Sequence, residues 1–210
     1  MELFYDRIKC ETKTFEEGVK SVRVISGKFK GHPLKSVSNR QTRPTTDKVK
    51  EALFQMIGPY FDGGSCFDLF AGSGGLGIEA MSRGIEKAIF VDKQPKAIQT
   101  IYENLKLLQL QDSTEVYKTD AFRAIKAAAK RELSFDIIFL DPPYLKVSYE
   151  SLLEYIDTYK LLKKDGTIVC EHEAKQKLPN EYSGFSVVRS EVYGSTTALT
   201  IYKRGSVEHD

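Results

Sequence analysis

No apolar run in the 210 residues approaches the ~20 that a membrane-spanning helix needs, so no spanning segment is expected. Residues 1–20 lack the basic stretch and apolar stretch of a secretory leader. Cysteine is scarce: Cys10, Cys66 and Cys170 are too few and too widely spaced for a disulfide framework or a metal site. Cys66 and Cys170 sit inside apolar stretches and read as small core residues. These absences predict a cytoplasmic protein without a bound metal. Histidine is equally thin, with only His32, His172 and His209 available for proton transfer. There is no internal repeat. The 41% hydrophobic and 29% charged residues exclude a disordered chain, and the length suits one α/β domain with a small appendage.

What is present begins with a segregation of charge. The net charge is only +2, yet between residues 20 and 50 nine basic residues face a single acid, Asp47. The remainder carries more acids than bases. A basic block on a near-neutral body is the footprint of a polyanionic partner. A solvated face or a flexible arm is the plain alternative.

Residues 21–35 read as short strands around Gly27 and Gly31. Residues 40–46 form a polar loop, after which Thr46 or Asp47 caps a helix to about Ile57, with Val49, Leu53, Phe54 and Ile57 on one face. The pattern then alternates. Strands are expected at 65–70, 87–91, 114–118, 135–140 and 167–170. Helices are expected at 75–82, 95–108, 121–131 and 149–161. Two closing strands, 185–190 and 196–202, have no helix between them. Repeated strand–helix units predict a mostly parallel, Rossmann-like sheet, and the closing pair an antiparallel hairpin at its edge.

Asp68-Leu69-Phe70-Ala71-Gly72-Ser73-Gly74-Gly75-Leu76-Gly77 follows the first of these strands and opens a helix. Its glycines allow a tight turn and close approach of a ligand. Gly72, Gly74 and Gly77 also satisfy G-x-G-x-x-G, with Asp92 twenty residues after Gly72, which is a dinucleotide fingerprint by count. Asp68 separates the readings. A carboxylate there would repel a pyrophosphate, whereas S-adenosylmethionine offers it an ammonium group. Asp92 is placed to accept from ribose hydroxyls under either reading. Asp120 and Ala121 are placed beside an adenine amine, with Phe122 near the ring. Asp92 and Asp120 taken singly also fit ordinary strand-end and helix-cap residues.

Asp141-Pro142-Pro143-Tyr144 ends the fourth strand. Two prolines fix the backbone and remove two N–H groups, leaving carbonyls as acceptors. An exocyclic amine is a poor nucleophile because its lone pair is delocalised into the base. Hydrogen bonds from that amine to Asp141 and to the Pro142 carbonyl would localise the lone pair and stabilise the developing positive charge. Tyr144 would stack on the base. An acceptor-only carboxylate matches the adjacent N1–H and N2 donors of guanine, whereas Asn would suit adenine better.

These motifs, together with Arg23-Val24-Ile25-Ser26-Gly27-Lys28-Phe29-Lys30-Gly31, Arg43-Pro44-Thr45-Thr46-Asp47 and Tyr193-Gly194, resemble the RsmD family of bacterial 16S rRNA guanine-N2 methyltransferases from about Val22 to Arg204. The resemblance implies a class I methyltransferase fold with a seven-stranded sheet and a small N-terminal hairpin. It implies S-adenosylmethionine held by Asp68, Ala71, Gly72, Gly74, Gly77, Asp92, Asp120 and Ala121, and catalysis by Asp141, Pro142 and Tyr144. RNA contacts are expected from Arg23, Lys28, Lys30, Arg43 and Thr45. The implied partner is 16S rRNA in the small ribosomal subunit or a late assembly intermediate, met by a monomer. The chain then divides into an extension (1–21), a basic hairpin arm (22–45), the methyltransferase domain (46–204) and a tail (205–210). An adenine-N6 methyltransferase, a nicotinamide-dependent oxidoreductase using His172, and a non-catalytic RNA-binding module remain as alternatives.

Overall fold

The computed structural model describes residues 22–37, 46–143 and 147–205. Arg43, Thr45, Tyr144, the 1–21 extension and most of the tail lie outside the described residues. The chain enters through β1 (Val22–Arg23) and β2 (Pro33–Leu34), a two-residue antiparallel ladder pairing Val22 with Leu34. Helix α1 (Asp47–Ile57) follows. The Thr46 side chain accepts from the Val49 N–H at 3.4 Å, and Asp47 in the first turn suits the positive end of the helix. Val49, Leu53 and Phe54 are buried as their spacing predicts, and so is Lys50, which the pattern did not place inside.

The repeating units then run β3 (Ser65–Asp68), α2 (Gly75–Ser82), β4 (Lys87–Asp92), α3 (Pro95–Leu107), β5 (Thr114–Lys118), α4 (Ala121–Lys130), β6 (Phe135–Leu140), α5 (Tyr149–Thr158) and β7 (Leu162–Glu173). Three strands close the chain: β8 (Glu181–Tyr182), β9 (Phe185–Tyr193) and β10 (Thr197–Arg204). The large sheet has the order β5-β4-β3-β6-β7-β10-β9-β8. It is parallel from β5 to β7 and antiparallel from β7 to β8. Seven strands were expected. The eighth, β8, is a two-residue edge strand joined to β9 through Ser183 and Gly184, both at positive φ (51° and 77°).

Alternation along the strands divides the core in two. Cys66, Phe90, Ile137 and Phe139 face the layer of α1, α2 and α3, with Phe54, Ile78 and Ile101. Phe67, Ile89, Ile138 and Leu140 face the layer of α4 and α5, with Ile125, Leu152 and Tyr202. Helix α5 stops three residues before the expected end because Lys160 turns left-handed (φ 52°) and the Leu161 N–H returns to the Ile156 carbonyl at 3.0 Å. Strand β7 runs far beyond residues 167–170, since it is paired on both sides, by β6 and by β10.

The chain winds outward from β3 to β5 and then returns to place β6 on the other side of β3. That reversal opens a crevice beyond the carboxyl ends of β3 and β6.

Candidate active site

A cavity of about 260 Å³ occupies this crevice. Its wall includes Asp68, Ala71, Gly72, Asp92, Asp120, Ala121, Asp141 and Pro142, drawn from the ends of β3, β4, β5 and β6. Residues separated by up to 74 positions therefore meet because four parallel strands end on one side of the sheet.

Asp68 is 3% exposed and accepts the Gly77 N–H at 3.2 Å. Burial, with help from the Asp92 charge, pushes its carboxyl up to about 7 against the opposing pull of the Gly77 N–H. A cation entering the cavity would favour its ionised form. Asp92 is held from both sides: Oδ2 accepts the Gly72 N–H at 3.0 Å and Oδ1 the Gln94 N–H at 2.8 Å. Each oxygen keeps a further lone pair. Asp120 caps α4, accepting the Arg123 N–H at 3.0 Å, and its other oxygen lies 3.3 Å from Arg123 Nε. Its role as a cap and its place in the cavity wall thus coexist.

The three glycines have different work. Gly72 lines the cavity at φ 54°, and a Cβ there would meet nothing within 4 Å. Gly74 and Gly77 do not line the cavity. Gly74 precedes α2 in the left-handed conformation, φ 81°. At Gly77 a Cβ would come within 2.4 Å of Phe90 Cε1, so this glycine lets α2 press against β4. The structure places both behind the cavity wall.

Asp141 follows β6, where Leu140 pairs with Cys170 of β7. Its carboxyl is pushed well above the usual range by burial, then by the charges of Glu171 and Asp68. Pro142, Pro143 and Val147 continue the wall beside it. His172 does not line the cavity. Its Nε2 lies 2.8 Å from Thr200 Oγ1 and its Nδ1 2.9 Å from the Glu173 carbonyl, which makes it a hydrogen-bonded core residue. His32, the other histidine among the described residues, does not line the cavity either, so the oxidoreductase reading finds no histidine there.

The N-terminal hairpin forms a wall rather than a projecting arm. Val22, Ser36 and Val37 line the cavity. Glu79, fully buried in α2, accepts the Ile25 N–H at 2.7 Å, the Ser26 N–H at 2.9 Å and Arg83 Nε at 2.8 Å, with Lys50 Nζ 3.4 Å away. Lys50 also donates to the Arg23 carbonyl at 2.5 Å and reaches the cavity wall. Burial lowers its ammonium pKa, opposed by Glu79. Glu79 was detectable in the sequence as the lone charge within an apolar helix, whereas nothing local marks Lys50 as buried. Of the expected RNA contacts, Arg23 is exposed and paired with Asp47 at 2.8 Å, and Lys28 and Lys30 lie on the hairpin turn, both exposed. Among the described residues no acid, histidine and cysteine cluster could hold a metal.

Winding, switch point and acid-lined crevice together define the class I methyltransferase fold. The family described as Conserved hypothetical protein 95 matches residues 22–203, and the chain belongs to it; this is the RsmD family. YlbH of Bacillus subtilis is 56% identical over 184 residues, covering 88% of this chain and all of YlbH. Ribosomal RNA small subunit methyltransferase D of Escherichia coli K12 is 30% identical over 192 residues, covering 91% and 94%. Among solved structures, yhhF of Escherichia coli superimposes with a TM-score of 0.74 at 29% identity, covering 88% of this chain and 98% of that one.

Proposed function

We propose that this chain transfers a methyl group from S-adenosylmethionine to the exocyclic N2 amine of one guanine in 16S rRNA. The observation that carries the reading is the convergence of Asp68, Asp92, Asp120 and Asp141 on one cavity behind a glycine loop. That donor set fits the cofactor: a buried carboxylate for an ammonium, a braced carboxylate for a ribose diol, and a strand-end acid for an adenine amine. A pyrophosphate would meet four carboxylates instead. When bound, S-adenosylmethionine supplies an electrophilic methyl group.

The chain's own residues do the rest. Asp68 and Asp92 hold and orient the cofactor, and Ala71, Gly72 and Ala121 allow its close approach. Asp141 and the Pro142 carbonyl accept from the target amine and fix its lone pair, while Tyr144 stacks on the base. Prolines 142 and 143 hold these acceptors still, so little reorganisation is needed as charge develops. Arg23, Lys28, Lys30, Arg43 and Thr45 contact the RNA. The protein acts as a monomer in the cytoplasm, on the small ribosomal subunit or a late intermediate of its assembly. The relative named for small-subunit rRNA methylation supports this substrate.

The test is mass mapping of modified nucleotides in 16S rRNA from cells with and without the gene. Loss of a single N2-methylguanine is expected. Loss of an N6-methyladenine, or an unchanged map, would overturn the reading.

A further inference from the structure

Asn104 lies in the interior of α3, fully buried, and is not part of the cavity wall. Its side chain spends all its hydrogen-bonding groups on two distant segments. Oδ1 accepts the Lys35 N–H at 2.8 Å. Nδ2 donates to the Lys35 carbonyl at 3.0 Å and to the Ser73 carbonyl at 2.9 Å. The amide thus pairs with the Lys35 backbone as a neighbouring strand would, and its second hydrogen reaches the glycine loop. Both segments are walls of the cavity: Ser36 and Val37 follow Lys35, and Ser73 stands between Gly72 and Gly74.

Asparagine is a poor helix former, and a buried amide costs stability unless it is fully bonded. A leucine at this position would suit the helix and the core better. It would also leave one N–H and two carbonyls without their partner, and the two walls without a link. We infer that Asn104 is a positioning residue for cofactor binding, which holds the N-terminal segment and the glycine loop at the separation the cofactor requires. It acts through Lys35 and Ser73 and touches no reacting atom. The inference rests on the cavity being the cofactor site, and binding of S-adenosylhomocysteine to the wild type reports on that reading separately.

The experiment is titration calorimetry of the full chain with S-adenosylhomocysteine, alongside thermal unfolding. Asn104→Ala should weaken affinity by about tenfold or more, the effect of losing one to two net hydrogen bonds. Asn104→Asp keeps the acceptor for Lys35 but sets a second oxygen against two carbonyls, and should bind at least as poorly. Lys35→Pro removes one donor from the exposed side, after a residue already extended in β2, and should cost about threefold to tenfold even if the Asn104 variants fail to fold. Two controls separate positioning from general softening. Leu105→Ala, beside Asn104 in the core, should lower the melting temperature yet bind within about twofold of wild type. Lys35→Ala keeps the backbone N–H and should also bind normally. In turnover, Asn104→Ala should raise KM for the cofactor while kcat at saturation stays within about threefold. Wild-type affinity in Asn104→Ala or Lys35→Pro would overturn the inference, as would an equal loss in Leu105→Ala.

Discussion

Two carboxylates in the cavity are kept from ionising freely, and each carries a distinct expectation. Asp141 lines the cavity, and in the proposed reaction it faces the amine on which positive charge develops. Asp141→Ala should reduce methyl transfer by ~10²–10³, the scale for a preorganised electrostatic group, while S-adenosylhomocysteine affinity stays within a few-fold. Single-turnover assays with small subunits, paired with calorimetry, measure both. Retention of more than about a tenth of the rate would show that Asp141 does not stabilise that charge.

Asp68 predicts a pH effect. Burial raises its carboxyl to about 7 in the folded protein, against about 4 in an unfolded chain. Between those values the folded state holds a proton that the unfolded state has released. The stability from this site is therefore complete below about pH 4 and lost as pH rises to about 7. Asp68→Asn removes the titration. In denaturant unfolding without cofactor, the variant should gain on the wild type by on the order of 2–4 kcal/mol between about pH 4 and 8. Parallel curves would mean that Asp68 ionises normally. Cofactor affinity of the wild type should rise over the same interval, because a bound ammonium group favours the carboxylate.

At the scale of elements, the contact between the hairpin and α2 turns on one side chain. Glu79 receives two backbone N–H groups from the hairpin, a guanidinium from the end of its own helix and an ammonium from α1. Glu79→Ala would leave Lys50 and Arg83 buried without their counter-charge. The expected loss is about 3–5 kcal/mol by denaturant titration, the range for breaking one side of a buried ion pair. Hydrogen exchange should report loss of protection first at Ile25 and Ser26. A loss below about 1 kcal/mol would show that water or repacking replaces the carboxylate. Because Val22, Ser36 and Val37 belong to the same hairpin segment, its detachment should also weaken cofactor binding.

For the whole molecule, the segregated charge makes a salt-dependent prediction. Lys28 and Lys30 reach solvent on the hairpin turn, whereas Arg23 is already paired with Asp47. If the first two meet phosphates, replacing either with Ala should reduce the slope of log affinity against log salt by roughly 0.7–0.9. Arg23→Ala should change it less. Filter binding to small subunits across a salt series is the measurement. Identical slopes in all variants would make this face merely solvated. No helix in the described residues is long and apolar enough to cross a membrane.

Local periodicity was enough to place the strands and helices from Ser65 to Leu140, because alternation of period 2 and 3.6 is written in neighbouring residues. The same holds for the glycine loop and for an acid at the end of each strand. What the sequence could not show is which loop residues face the cavity. Gly74 and Gly77 share a motif with Gly72, yet a Cβ at either would point at the core side chains Ile78 or Phe90. Nor could it show that Val22, Ser36 and Val37 wall the cavity, that Glu79 holds the hairpin from 53 and 54 residues away, or that Asn104 joins Lys35 to Ser73 across 69 and 31 residues. Chain neighbours fix backbone conformation and the face a side chain takes. Which distant segment meets that face is decided by the winding of the sheet and the closing of the core, and there the site acquires its second wall.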